Sequence, residues 1–191
     1  MKVEGIILAA GLSSRAGTNK LVLEINNKTV IERCIYGMYD ICSKITVVVG
    51  HKIGDIKNIL NKYPKIEIVY NSDYLNGMFS SVKKGLTNVK EDNFFLIPGD
   101  YPVVNKKTYD EMLKLDKNIV IPIYNGIRGH PLLMKSILIN EILEDASCKS
   151  LRDFINKKGF TSVNVKDPGI LMDIDTMEDY NKILTYVGSK Y

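Results

Sequence analysis

What most constrains this chain is a regular exchange of short apolar runs and amphipathic stretches. Residues 3–10 are apolar apart from Glu4, residues 45–49 are rich in β-branched side chains, residues 66–70 alternate, and residues 94–97 form a fourth run. Runs of this length read as strands, and unbroken ones as strands buried on both faces. Between them, residues 29–39 place Val30, Ile31, Cys34, Ile35 and Met38 at helical spacing, with Thr29 as N-cap. Residues 53–60 and 79–86 also read as helices. Strands that alternate with helices need crossovers, which sandwich a parallel sheet between two helical layers. The expected fold is therefore α/β: a single-domain, Rossmann-like three-layer α/β/α architecture with a mainly parallel, mixed sheet. Ligands of such sheets bind beyond the carboxyl ends of the strands, so the loops after strands are where chemistry is expected.

The second half extends the pattern. A helix is expected over residues 106–115, and a strand over 119–123 with an antiparallel partner over 128–134 across the Asn125-Gly126 turn. Helices over 136–143 and 150–157 follow, then strands over 160–165 and 170–174 separated by Pro168-Gly169. Thr176 caps a last helix over 176–187, with Asp179 in the capping-box position. A length of 191 residues suits one domain, and 45% hydrophobic residues supply a real core. No run approaches the roughly 18 apolar residues of a membrane helix, and the N-terminus does not read as a signal peptide. Cys34, Cys42 and Cys148 are odd in number and form no CxxC pair, which argues against a disulfide framework or a zinc site and for a reduced, cytoplasmic setting. The net charge of +4 comes from scattered lysines without a basic stripe, so no nucleic-acid or membrane partner is expected.

Four segments carry chemistry. The loop after the first strand reads Leu8-Ala9-Ala10-Gly11-Leu12-Ser13-Ser14-Arg15-Ala16-Gly17-Thr18-Asn19-Lys20. Small residues let backbone N–H groups approach phosphate oxygens, the serines add donors, and Arg15 and Lys20 add the positive charge a triphosphate needs. It is neither a dinucleotide GxGxxG nor a P-loop. The segment 71–81 places Gly77 in a turn and Ser80 or Ser81 where either could cap a helix. Pro98-Gly99-Asp100-Tyr101-Pro102 presents Asp100 at a strand end, as a helix cap or as one of the one or two carboxylates that usually hold Mg²⁺. In residues 172–179, acidic N-capping accounts for Asp175 to Asp179 but not for Asp173, and both Asp173 and Asp175 share one face of an extended segment. His130, in Gly126-Ile127-Arg128-Gly129-His130-Pro131, is one of two histidines; the other, His51, reads as a solvated turn.

Taken together and in order, these segments resemble the molybdenum-cofactor guanylyl- and cytidylyltransferases, the MobA-like NTP transferases. The first loop is similar to their LAAGxSxRMGxxK pattern with Ala16 in place of Met; residues 77–81 resemble GMxxS, residues 99–102 GDxP, residues 126–131 GxxGHP, and residues 173–179 DIDTPED with Met177 in place of Pro. The resemblance implies an Mg²⁺-dependent nucleotidyltransferase that releases pyrophosphate. It implies nucleotide contacts from Leu8, Ala9, Ala10, Gly11, Ser13, Ser14, Arg15, Lys20, Gly77, Ser80 and Ser81, with Arg15, Lys20 and Asp100 as the catalytic set. Asp100 and Asp175, then Asp173, are the implied metal ligands, and Tyr101, Arg128, Gly129 and His130 the implied acceptor contacts. Ala10 resembles the cytidylyl type, where the guanylyl type has Gly, so CTP is the expected nucleotide and molybdopterin phosphate the expected acceptor. The alternatives are a sugar- or polyol-phosphate nucleotidyltransferase and a non-catalytic nucleotide-binding partner of a molybdenum hydroxylase.

Overall fold

A computed structural model describes residues 2–11, 19–50 and 54–189. In chain order its elements are β1 (Val3–Ala9), β2 (Glu24–Ile25), β3 (Lys28–Thr29), α1 (Val30–Met38), β4 (Ile45–Val49), α2 (Gly54–Leu60), β5 (Ile66–Tyr70), α3 (Met78–Leu86), β6 (Asn93–Pro98), α4 (Lys106–Leu113), β7 (Ile119–Tyr124), β8 (Ile127–Arg128), β9 (Leu132–Lys135), α5 (Ile139–Glu144), α6 (Leu151–Lys158), β10 (Thr161–Asn164) and α7 (Met177–Gly188). The main sheet has the order β10-β7-β9-β6-β1-β4-β5, with β8 beside β7. β1 lies at its heart, parallel to β4 and to β6, while β9 runs antiparallel between β6 and β7.

Every residue of β1 is buried, because helices cover both faces. Successive side chains point to opposite sides of a strand. Ile7 and Ala9 accordingly join a cluster with Ile31, Ile35, Tyr109 and Ile183 from α1, α4 and α7. Ile6 and Leu8 join the opposite cluster with Val82, Ile142 and Phe154 from α3, α5 and α6. The three layers expected from the sequence are present. Glu4, the one acid in the strand, is satisfied where it is buried. Its carboxylate accepts the backbone N–H groups of Lys90 (2.6 Å) and Glu91 (3.3 Å) and pairs with Lys44 at 3.3 Å.

Two expectations change, and one hairpin is added. The expected strand over 170–174 is absent: Asp167 accepts the N–H of Gly169 and starts a short 3-10 turn, Pro168–Leu171, that buries Ile170. Pro168 occupies the first position of that turn, where its missing N–H costs nothing. The expected strand over 128–134 is split into β8 and β9: Gly129 still donates its N–H to Pro122 O of β7 at 2.9 Å, but at His130 the chain leaves the sheet and donates its backbone N–H to Ile170 O at 3.0 Å. The β2–β3 hairpin was not anticipated; Asn26 and Asn27 turn it at φ 48° and 61°. Asparagine tolerates that left-handed region better than most residues, so the Asn-Asn pair was a legible turn signal.

Candidate active site

The site is built at the carboxyl ends of β1 and β6. After β6 the chain turns at Gly99, whose N–H donates to Leu8 O at 2.9 Å. A Cβ at Gly99 would stand 3.0 Å from Ile31 Cδ1 and 3.3 Å from Leu8 O, so a side chain there would push against α1 and β1. The turn presents Asp100. Its carbonyl accepts the N–H of Ile174 at 3.1 Å, which lashes the segment before α7 to the end of β6. Ile174 is fully buried, so Asp173 and Asp175 are held on either side of an anchored residue. One carboxylate oxygen from each of Asp100, Asp173 and Asp175 lies within 4.8 Å of the others.

Lys20 completes the cluster from the other side. Asn19 opens a 3-10 turn, Lys20–Val22, by accepting the N–H of Leu21 at 3.3 Å, and the turn directs Lys20 to the acids. Its Nζ lies 2.6 Å from Asp100 Oδ2 and 3.1 Å from Asp175 Oδ1, with the Lys20 and Asp100 side chains 15% and 17% exposed. Burial alone pulls the ammonium pKa down, but the charges and hydrogen bonds of Asp100 and Asp175 outweigh it and leave Lys20 above the ordinary lysine value. Burial first, then the neighbouring charges of Asp100 and Asp175, push the Asp173 carboxyl above the usual range. Asp100 Oδ1 is buried without a hydrogen-bond partner among the described residues. A buried carboxylate oxygen left over beside two further carboxylates fits a hard divalent cation, which takes oxygen ligands.

Of the other predicted residues, Tyr101 directly follows Asp100. Tyr101 packs edge-to-face on His130 with ring centroids 4.9 Å apart. Burial holds the imidazole down to about 4, so it is a neutral ring at physiological pH, and its Nδ1 has no hydrogen-bond partner among the described residues. Gly129 is buried against the 3-10 turn; a Cβ there would meet Ile170 Cβ at 2.8 Å. Arg128 lies on exposed β8, its guanidinium carbon 4.2 Å from the centre of the Phe160 ring, and forms no ion pair with the carboxylates among the described residues. Leu8, Ala9 and Ala10 are buried at the end of β1, and Gly11 is exposed. Ser13, Ser14, Arg15 and His51 lie outside the described residues.

Ser80 and Ser81 do not cap α3. Gly77 stands at its N-cap position, with φ 88°, a conformation that favours glycine. The two serines sit inside the first turns instead, where Asn71 Nδ2 donates to Ser80 Oγ (2.9 Å) and Ser81 Oγ (3.0 Å). Asn71 Oδ1 accepts the N–H of Asp73 at 3.0 Å, so this buried residue fixes the segment 71–77 to α3. Sequence reasoning missed Asn71, although a polar residue directly after a strand was a signal. It also missed two other ties. Asp167 accepts from Asn105 N, Thr108 Oγ1 and Gly169 N at 2.7–3.0 Å and so braces the turn that leads to Asp173. Arg33 on α1 donates to Ile25 O (3.4 Å) and Pro102 O (3.3 Å), joining the chain beyond Lys20 to the chain beyond Asp100.

Residues 5–163 match the MobA-like NTP transferase domain. This chain belongs to that family. The MobA-like chain is 29% identical over 179 residues to the molybdenum cofactor cytidylyltransferase of Escherichia coli, with 93% of each chain covered. It is 30% identical over 137 residues to a probable molybdenum cofactor guanylyltransferase of Bacillus anthracis, covering 69% of this chain and 66% of that one. A solved nucleotidyl transferase from Methanothermobacter thermautotroptrophicus superposes with a TM-score of 0.85 at 21% identity, covering 100% of this chain and 99% of that one. The MobA-like protein is a nucleotidyltransferase. Among the described residues no helix is long and apolar enough to cross a membrane.

Proposed function

We propose that the protein transfers CMP from CTP to the phosphate of a molybdopterin-type acceptor, with Mg²⁺ as its metal. The observation that carries this reading is the meeting of Lys20, Asp100, Asp173 and Asp175 at the carboxyl ends of the central strands. Asp100 and Asp175, with Asp173 beside them, would hold the ion. When bound, Mg²⁺ would supply Lewis-acid polarisation and charge neutralisation at the α-phosphate. The acceptor phosphate is already anionic and needs no general base to attack the α-phosphorus; pyrophosphate leaves as the new P–O bond forms. The work of the protein is in-line placement and neutralisation of charge. Lys20 and Arg15 do this on the triphosphate side, and Gly11, Ser13 and Ser14 supply donors to it. Tyr101 and the neutral His130 ring form an aromatic wall for the acceptor, beside Gly129 and within reach of the Arg128 strand.

Two features support cytidine. The curated relative matched over 93% of this chain is a cytidylyltransferase. Ala10 is buried where β1 ends, and its carbonyl lies beside Gly50, where an added Cβ would stand 3.1 Å from Ala10 O and 2.9 Å from Tyr74. A Cβ at Ala10, where the guanylyl type has Gly, favours the smaller pyrimidine over a purine. The test is pyrophosphate release with each of four triphosphates, against molybdopterin and sugar-phosphate acceptors, with and without Mg²⁺. Release with CTP and molybdopterin only when Mg²⁺ is present is the expected result. Release with GTP in preference to CTP, or with sugar phosphates alone, would overturn the base or the acceptor assignment.

A further inference from the structure

Lys20 occupies an unexpected position for a residue assigned to a triphosphate. Its ammonium bridges Asp100 and Asp175 at 2.6 and 3.1 Å, the two residues first in line to hold the metal. The three carboxylates crowd within 4.8 Å, and the chain itself places a cation against two of them. We propose that Lys20 is a resident counter-cation that makes metal binding conditional on the triphosphate. This inference rests on the metal and triphosphate roles given under Proposed function.

The argument is one of competition for oxygens. Mg²⁺ needs direct oxygen contacts at about 2.0–2.1 Å, and Mn²⁺ likewise takes oxygen ligands. Asp100 Oδ2 and Asp175 Oδ1 are engaged by Nζ, and a divalent ion on the same carboxylates would sit against a positive charge. A free metal ion therefore meets a site in which two of the three carboxylates already hold a cation. A triphosphate changes the balance in two ways at once: it offers Lys20 a better anionic partner, and it brings oxygens of its own to the metal. Withdrawal of Nζ uncovers Asp100 and Asp175 as the metal–nucleotide complex arrives. By linkage, whatever factor the nucleotide adds to metal affinity, the metal adds to nucleotide affinity. The site thereby takes metal with nucleotide and discriminates against metal alone.

The test is Mn²⁺ binding measured directly, by calorimetry or by the loss of the free-ion paramagnetic signal, without turnover. The proteins are the full chain, Lys20→Met, which keeps the stem and removes the charge, and Lys20→Ala. Without nucleotide, both variants are expected to bind Mn²⁺ more tightly than wild type, by a factor in the usual range for coupled sites, about 5–150. With a non-hydrolysable CTP analogue present, wild-type affinity for Mn²⁺ rises, and the variants lose most of that rise. Equal or weaker Mn²⁺ binding in both variants, each with a circular dichroism spectrum like wild type, overturns the proposal. Asp100→Asn separates the two ideas. If it abolishes Mn²⁺ binding while the lysine variants leave it unchanged, the metal reading stands and the counter-cation role falls. If it leaves Mn²⁺ binding unchanged, the metal reading itself is wrong and this inference goes with it.

Discussion

His130 shows how one half-buried residue can report on its surroundings. Burial lowers its pKa from 6.5 to about 4 in the folded protein. Above pH 6.5 the ring is neutral in both states and contributes no pH dependence. Between 6.5 and 4 the unfolded chain takes up a proton that the folded chain refuses, so stability falls as pH falls. The linked loss reaches up to about 3 kcal/mol near pH 4. His130→Phe should flatten that part of a denaturation-midpoint profile over pH 4–6.5, and a profile parallel to wild type would mean the ring is hydrated. Ala10 makes a second prediction at this scale. One methyl discriminates ligands by roughly 1–3 kcal/mol, so Ala10→Gly should narrow the ratio of CTP to GTP affinity about tenfold or more. Competition binding of the two nucleotides checks this, and an unchanged ratio removes Ala10 as the discriminator.

At the scale of elements, strands and helices with a repeated apolar pattern could be read directly. β4 and β5 have the expected bounds, and α1 and α7 start at the expected caps, Thr29 and Thr176, each closing a capping box. What could not be read depends on contacts distant in sequence. Nothing near residue 170 says that its carbonyl will take the N–H of His130, and that bond helps to set the 3-10 turn in place of a strand. The acids show the same limit. Asp100, Asp173 and Asp175 were nominated by motif, but their meeting depends on the backbone bond from Ile174 to Asp100. That Lys20 would sit on the acids had no local signal at all. The last helix allows capping and catalysis to be separated. The box is made by Thr176 and Asp179, leaving Asp175 outside it. Thr176→Ala should lower stability by about 0.5–2 kcal/mol with turnover largely kept. Asp175→Ala should lose most turnover with a smaller change in melting temperature. Thermal melts and steady-state rates on the pair check both halves, and the reverse pattern would return Asp175 to a capping role.

For the molecule as a whole, the site joins residues 80 and 155 positions apart from Lys20 in sequence, so its ligands should act on global stability. A ligand that binds only the folded state adds about 2.7 kcal/mol at a hundred times its dissociation constant. CTP with Mg²⁺ should therefore raise the unfolding temperature by more than the sum of either alone, and a chelator should return it to the value with CTP alone. Asp100→Asn should show no metal-dependent rise. Differential scanning calorimetry reads these shifts, and additive effects in wild type would argue against a shared site.

The last strand of the sheet ends at Asn164, yet Asp173 and Asp175 follow it. During synthesis, every strand is therefore made before the acidic centre has all of its members. A nascent chain that has reached Asn164 carries Lys20 and Asp100 in its sequence but neither of the other two carboxylates. The acidic centre is thus completed late, after the scaffold it depends on has already been translated.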